Sequence, residues 1–170
     1  MRTTKIGLVS FMVISVAILI LSCTKDKMVT KSPDLTPVAA GAIIDMGPVS
    51  GEVHHMSVSL TGVALAMPGS TGDNPVISTA NIDLFSGTDG IIQNGTYTFS
   101  DTGDMAPFTF KSATLYTPDQ SGLVLSSGTI TVARNGTSYA FTLDGTVTSG
   151  DAISGNFDGM LLYSDEVATY

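Results

Sequence analysis

Two hydrophobic patterns divide this chain. Ile6 to Leu21 is an almost unbroken apolar run, whereas after Met46 apolar residues alternate with threonine, serine and glycine at a spacing of two. A spacing of two belongs to strands with one face in a core, and no stretch keeps the 3.6-residue period of an amphipathic helix. Strands are expected near 49–65, 79–87, 94–100, 107–117, 127–134, 137–148 and 152–163, with turns marked by Asp89-Gly90, Asn94-Gly95, Asn135-Gly136 and Ser149-Gly150-Asp151.

The last three strands can be registered by hand. A two-residue turn at Asn135-Gly136 sets Val132 opposite Tyr139 and Ile130 opposite Phe141. A three-residue loop from Ser149 to Asp151 then pairs Val147 with Ile153 and Leu143 with Phe157, and leaves Gly159 facing the Phe141 ring. The result is an antiparallel meander with one apolar face. A single sheet cannot bury such a face alone. The expected fold is therefore all-β, an antiparallel β-sandwich ending in an up-and-down meander, with a small calycin-like β-barrel as the alternative.

The first 46 residues speak a different language. Arg2 and Lys5 precede the apolar run and the small Ser22 follows it, which is the anatomy of a secretory signal peptide over residues 1–22. A membrane-crossing helix needs about 20 apolar residues for roughly 30 Å of hydrocarbon. This run is shorter, and Gly7, Ser10 and Ser15 dilute it. Residues 23–46, interrupted by Ser32-Pro33, Thr36-Pro37 and Gly41, read as a lipidated N-terminus and flexible tether, with a partly ordered strand around Val38 to Ile44 as the other reading. Residues 47–170 make one all-β domain.

Ile20-Leu21-Ser22-Cys23 resembles the lipobox of bacterial lipoproteins. The resemblance implies cleavage between Ser22 and Cys23 and a diacylglycerol on the Cys23 sulfur, with further acylation supplying the two or three chains that stable anchoring takes. Lys25-Asp26-Lys27 is similar to the charged tags that follow the cysteine in surface lipoproteins of Bacteroidetes, and Thr24 stands where many inner-membrane lipoproteins carry aspartate. The stretch SGTITVARNGTSYAFTLDGTVTSGDAISGNFDGML also resembles a hairpin pattern in lipid-anchored β-rich envelope proteins of that group, of unknown function. Together these imply an outer-membrane address, with the cell surface preferred over the periplasmic face.

Charge narrows the partners. Residues 32–170 hold two basic side chains, Lys111 and Arg134, against fourteen acidic ones, a formal charge of −12. Phosphate backbones and anionic lipid surfaces are drawn to clustered Lys and Arg, so nucleic acid is excluded. Cys23 is the only cysteine, which leaves no disulfide, thiolate metal site or cysteine nucleophile.

Candidate chemistry is sparse. No nucleophile elbow, phosphate loop, His-Glu-x-x-His or EF-hand spacing occurs. Glu52 and His54 would share one face of a strand and are the weak metal candidates; a zinc site needs three or four ligands, and the others are not identifiable. Asp73, Asp89, Asp101, Asp104, Asp119 and Asp151 fall in or beside turns, where carboxylates bond the local backbone as readily as they hold calcium. Tyr97, Phe99, Tyr139, Phe141 and Phe157 are expected in the core, and core packing is also the expectation for Phe85, Phe108, Phe110 and Tyr116. No catalytic residue and no cofactor is assigned.

The expected function is a lipid-anchored, non-catalytic binding or accessory module, held to the membrane through Cys23 and recognising a glycan or an envelope protein. Alternatives are a structural or fimbria-like subunit assembling by strand addition, and a lipocalin-like carrier or an enzyme.

Overall fold

In a computed structural model the chain is all-β, and the structure describes residues 39–68, 75–87, 91–119 and 121–164. The eight strands are β1 (Ala40–Ser50), β2 (Val53–Ala66), β3 (Val76–Ser86), β4 (Gly95–Phe99), β5 (Thr109–Tyr116), β6 (Gly122–Asn135), β7 (Ser138–Val147) and β8 (Ala152–Ser164). They form one sheet that closes in a ring in the order β1-β2-β3-β5-β4-β6-β7-β8. The expected all-β class and the antiparallel meander β6-β7-β8 are both present.

The ring differs at its two ends. At one end β2 pairs directly with β8 through Ala64 to Ala66, and β5 pairs directly with β6 through Thr114 to Tyr116, so six strands close it. Towards the other end β1 wedges between β2 and β8, and β4 wedges between β5 and β6. Eight strands surround that end. Both wedges run antiparallel to one neighbour and parallel to the other, which is why an otherwise antiparallel sheet contains the parallel pairs β1–β8 and β4–β5.

Ala39 and Ala40 open the first wedge, and small residues line its point. A Cβ on Gly159 would lie 2.4 Å from the Ala39 carbonyl oxygen, and one on Gly62, at φ +84°, would lie 3.1 Å from the Ala39 Cα. Glycine at both positions lets three backbones converge.

Inside, one continuous cluster runs from Ile43 on β1 through Leu60, Ile82, Tyr97, Phe110, Leu115 and Ile130 to Phe141 and Phe157. The wide end is stoppered by the connection between β3 and β4, from which Ile92 enters the core fully buried. Polar groups hold that stopper. The Ser86 hydroxyl donates to the Ile91 carbonyl at 2.6 Å, and the Tyr97 hydroxyl donates to the Gln93 carbonyl at 3.0 Å.

Three sequence expectations need correction. Residues 40–46, assigned to the tether, belong to β1, because Ile43 and Asp45 point inward between the inward rows of β2 and β8. The β6–β7 pairing places Val132 opposite Phe141 and Ile130 opposite Leu143, with Gly136 and Thr137 at the tip. The β7–β8 pairing sets Phe141 against Phe157 and puts Gly159 opposite Tyr139 instead of Phe141. Both slips move the partner strand by two residues, and a two-residue slip keeps every inward side chain inward. Periodicity alone cannot see it. The closest approach to Gly159 comes from Ala39, just ahead of β1 and outside the meander.

Two substitutions separate core from surface. Leu60→Ala, at a fully buried site, should lower the free energy of unfolding by about 2–5 kcal/mol in urea titration. Leu162→Ser, at a side chain 73 % exposed, should change it by no more than about 0.5 kcal/mol. Gly159→Ala should free the point of the β1 wedge, read as faster proteolysis ahead of Ala40 than in the parent chain.

Candidate functional site at the wide end

The wide end gathers the ends of β1, β3, β6 and β8 and the starts of β2, β4, β5 and β7, and it carries Asp45, His54, Asn94 and Arg134. Asp45 and His54 both point inward at the rim. His54 Nδ1 lies 2.8 Å from Asp45 Oδ2 and 3.0 Å from Oδ1, and the Gly47 N–H donates to Oδ1 at 2.8 Å. Glu52 is not part of this pair. It sits in the Gly51-Glu52 turn before β2 begins, so the strand geometry that would put it on the face of His54 does not apply. No group of three or more His, Cys, Asp or Glu is placed to hold a metal among the described residues.

On the outer wall a second row crosses three strands. His55 Nε2 lies 3.3 Å from Asp83 Oδ1, and the Ser112 hydroxyl donates to Asp83 Oδ2 at 2.7 Å. A nucleophilic serine needs a histidine to take its proton, with the carboxylate behind that histidine. Here the carboxylate stands in the middle. The order serine, aspartate, histidine crosslinks β5, β3 and β2 and gives Ser112 no general base.

The turn aspartates behave as turn residues. Asp119 accepts from the Thr117 hydroxyl and from the Ser121 N–H, bonds that hold its carboxyl below the usual range, the hydroxyl contributing most. Asp151 accepts from the Ser149 hydroxyl at 2.8 Å. Asp101 and Asp104 join no metal-ligating group, while Asp73 and Asp89 lie outside the described residues, as do Ser22 and Cys23.

The same end carries an open depression of about 630 Å³ lined by Ile91, Ile92, Gln93, Asn94, Phe108 and Arg134, with Gly136 at its edge. Its polar edge is well fixed. Asn94 does not form a hairpin turn as expected; its Oδ1 accepts the Arg134 backbone N–H at 2.7 Å and ties the start of β4 to the end of β6. The Arg134 Nε donates to the Gly136 carbonyl at 2.9 Å, and the guanidinium carbon lies 5.6 Å from the centre of the Tyr139 ring.

Its apolar edge is Phe108, the one non-glycine residue with positive φ among the described residues, at +60°. Side chains larger than glycine resist that conformation, at a cost of order 1–3 kcal/mol. Its ring rests on Gly95, where a Cβ would come within 2.8 Å of it, and lies 5.3 Å from the Tyr97 ring. Sequence reasoning put Phe108 in the core with Phe85, Phe110 and Tyr116. Phe85 and Phe110 are buried, whereas Phe108 and Tyr116 are exposed: Phe108 precedes β5, and an irregularity between Phe110 and Ser112 turns Ala113 and Leu115 inward and Tyr116 outward. The one available signal for the depression was charge, since Arg134 is the only arginine after the apolar run.

A second surface lies on the outer face of β1 and β8, where Ile44, Met46, Met160 and Leu162 are exposed. The register sets Ala40 beside Met160 and Ala42 beside Leu162, so these side chains form one apolar stripe.

The chain matches no family model, no curated protein and no solved structure.

Burial pushes the Tyr97 phenol above its ordinary value, and it does the same for Tyr139, which the Arg134 charge partly offsets. A folded pKa above the unfolded one gives stability that is complete below the unfolded value and lost as pH rises through the folded one. Stability should therefore fall above pH 10, the ordinary tyrosine value, in step with late-appearing phenolate absorbance. Arg134→Gln should move the Tyr139 ionisation higher still. His54→Ala should lower stability by about 1–3 kcal/mol, while a chelator leaves the unfolding midpoint of the parent chain unchanged.

Proposed function

We infer that this protein is a lipid-anchored outer-membrane module that binds or assists a partner at the wide end of its ring and performs no catalysis. The observation that carries the reading is the direction of β1, which starts part-way up the wall at Ala40 and runs to the wide end. Ala40, the first residue of β1, lies part-way down the wall from the wide end, whereas the depression around Arg134 and Phe108 opens at that end. Attachment through the residues ahead of Ala40 would leave the Arg134 surface clear for a partner, as a tethered receptor or accessory protein requires. The interior is occupied by side chains and capped by Ile92, which favours surface recognition over carriage of a ligand inside the ring.

Strand addition is a second reading, favoured by one feature. β1 is the first strand of the domain, and without it the wide-end halves of β2 and β8 would each present an unpaired edge. A chain beginning after Ser50 would then take up a synthetic β1 peptide or a second copy, which size-exclusion chromatography would show; a chain that stays monomeric and ignores the peptide removes this reading.

Cys23→Ser should release the protein from the membrane fraction, and its retention there would overturn the anchored reading. The chain has no other thiol, so Asn135→Cys at the wide end and Ser149→Cys at the narrow end can be probed singly with a membrane-impermeant maleimide on intact cells. Surface display predicts labelling of Asn135→Cys without lysis; a periplasmic orientation predicts labelling only after it.

A further inference from the structure

We propose that the wide-end depression binds a monocarboxylate carried on an apolar group, with the carboxylate on the fork of Arg134 and the apolar group against Phe108 and Ile91. The proposal rests on the wide end being the binding face and names what it takes.

Arg134 carries a cation without a carboxylate partner among the described residues. Residues 32–170 carry fourteen acidic side chains, yet no carboxylate among the described residues stands within ion-pair distance of this guanidinium. Only Nε is used, donating to Gly136, so both terminal nitrogens remain for a ligand. A guanidinium presents those donors in a fixed plane that matches the two oxygens of one carboxylate. The Gly136 bond, the Tyr139 ring and the Asn94 bond to the Arg134 backbone hold that plane before any ligand arrives, which reduces the ordering cost of binding.

Beside it part of the lining is apolar. Ile91 and Phe108, 40 % and 37 % exposed, both line the depression with Arg134. The backbone of Phe108 is held at φ +60° and keeps its ring at the rim. Ligands with several negative charges are disfavoured by the domain as a whole, since a formal −12 repels them at long range. One carboxylate with an adjoining apolar surface satisfies both walls. The chemistry fits a free apolar acid or the carboxyl terminus of a peptide ending in an apolar residue.

The test titrates the full chain in detergent micelles with 3-phenylpropanoate, with an acetylated tripeptide ending in leucine, and with the amide of each, followed by calorimetry. The acids should bind at least about tenfold more tightly than their amides. Arg134→Gln should remove that preference, and Arg134→Lys, which keeps the charge without the fork, should weaken binding by about tenfold. Phe108→Gly relieves the positive φ, so the fold is kept while affinity for 3-phenylpropanoate drops severalfold. Tighter binding of 3-phenylpropanoate marks a free acid as the ligand, and tighter binding of the peptide marks a carboxyl terminus. Amides that bind as well as acids, unchanged affinity in Arg134→Gln, or no binding by either acid would overturn the proposal. Membrane release of Cys23→Ser and maleimide labelling of Asn135→Cys, read on the same chain, separate that failure from failure of the display reading.

Discussion

A sheet that closes with six strands at one end and eight at the other must start or stop two strands inside its own wall. Everything distinctive in this molecule follows from that constraint. Each inserted strand runs antiparallel to one neighbour and so parallel to the other, which produces the two parallel pairings in a meander-built sheet. Three backbones must converge where the first insertion begins, which selects Gly62 and Gly159 around Ala39. The wide end has more perimeter than inward side chains can fill, so a connection folds in to close it with Ile92. The groups that hold this stopper are polar because the backbone of the folded-in connection must be satisfied out of water. Ser86 and Tyr97 do that for Ile91 and Gln93.

The same geometry explains where chemistry collects. Side chains on inward rows are apolar along most of the wall, with Ser78 an exception that donates to the Val63 carbonyl, and charged groups meet at the wide rim in Asp45 and His54. At the narrow end, closed by direct pairing of β2 with β8 and of β5 with β6, the described loops after β5 and β7 are tied by their own hydroxyls at Thr117 and Ser149. The difference in perimeter between the two ends is a property of strand count before it is a property of any residue.

Much of this was legible in the sequence. Seven of the strands were readable from alternation, because inward positions such as Ile130, Val132, Phe141 and Leu143 repeat at two and turn residues separate them. β1 was obscured because its inward row contains Asp45 and Gly41, which break the apolar alternation; both are there for contacts with distant strands, Asp45 with His54 and Gly41 with the Ser59 carbonyl. The hairpin registers were misjudged by two residues, since alternation is blind to a slip that keeps every inward side chain inward. At the candidate site, an arginine in an acidic domain was visible from composition. The strained backbone of Phe108 and the bond from Asn94 to the Arg134 amide depend on β4 and β6 becoming neighbours, and no local pattern encodes that adjacency.

The position of β1 also has a mechanical meaning. Because it is hydrogen-bonded on both sides, to β2 and to β8, a pull on the residues ahead of Ala40 draws it along its own axis, and both ladders resist together in shear. A strand at an open border would meet the same tug with one ladder instead of two. The first described strand of the ring is therefore among the hardest to draw out along its own direction.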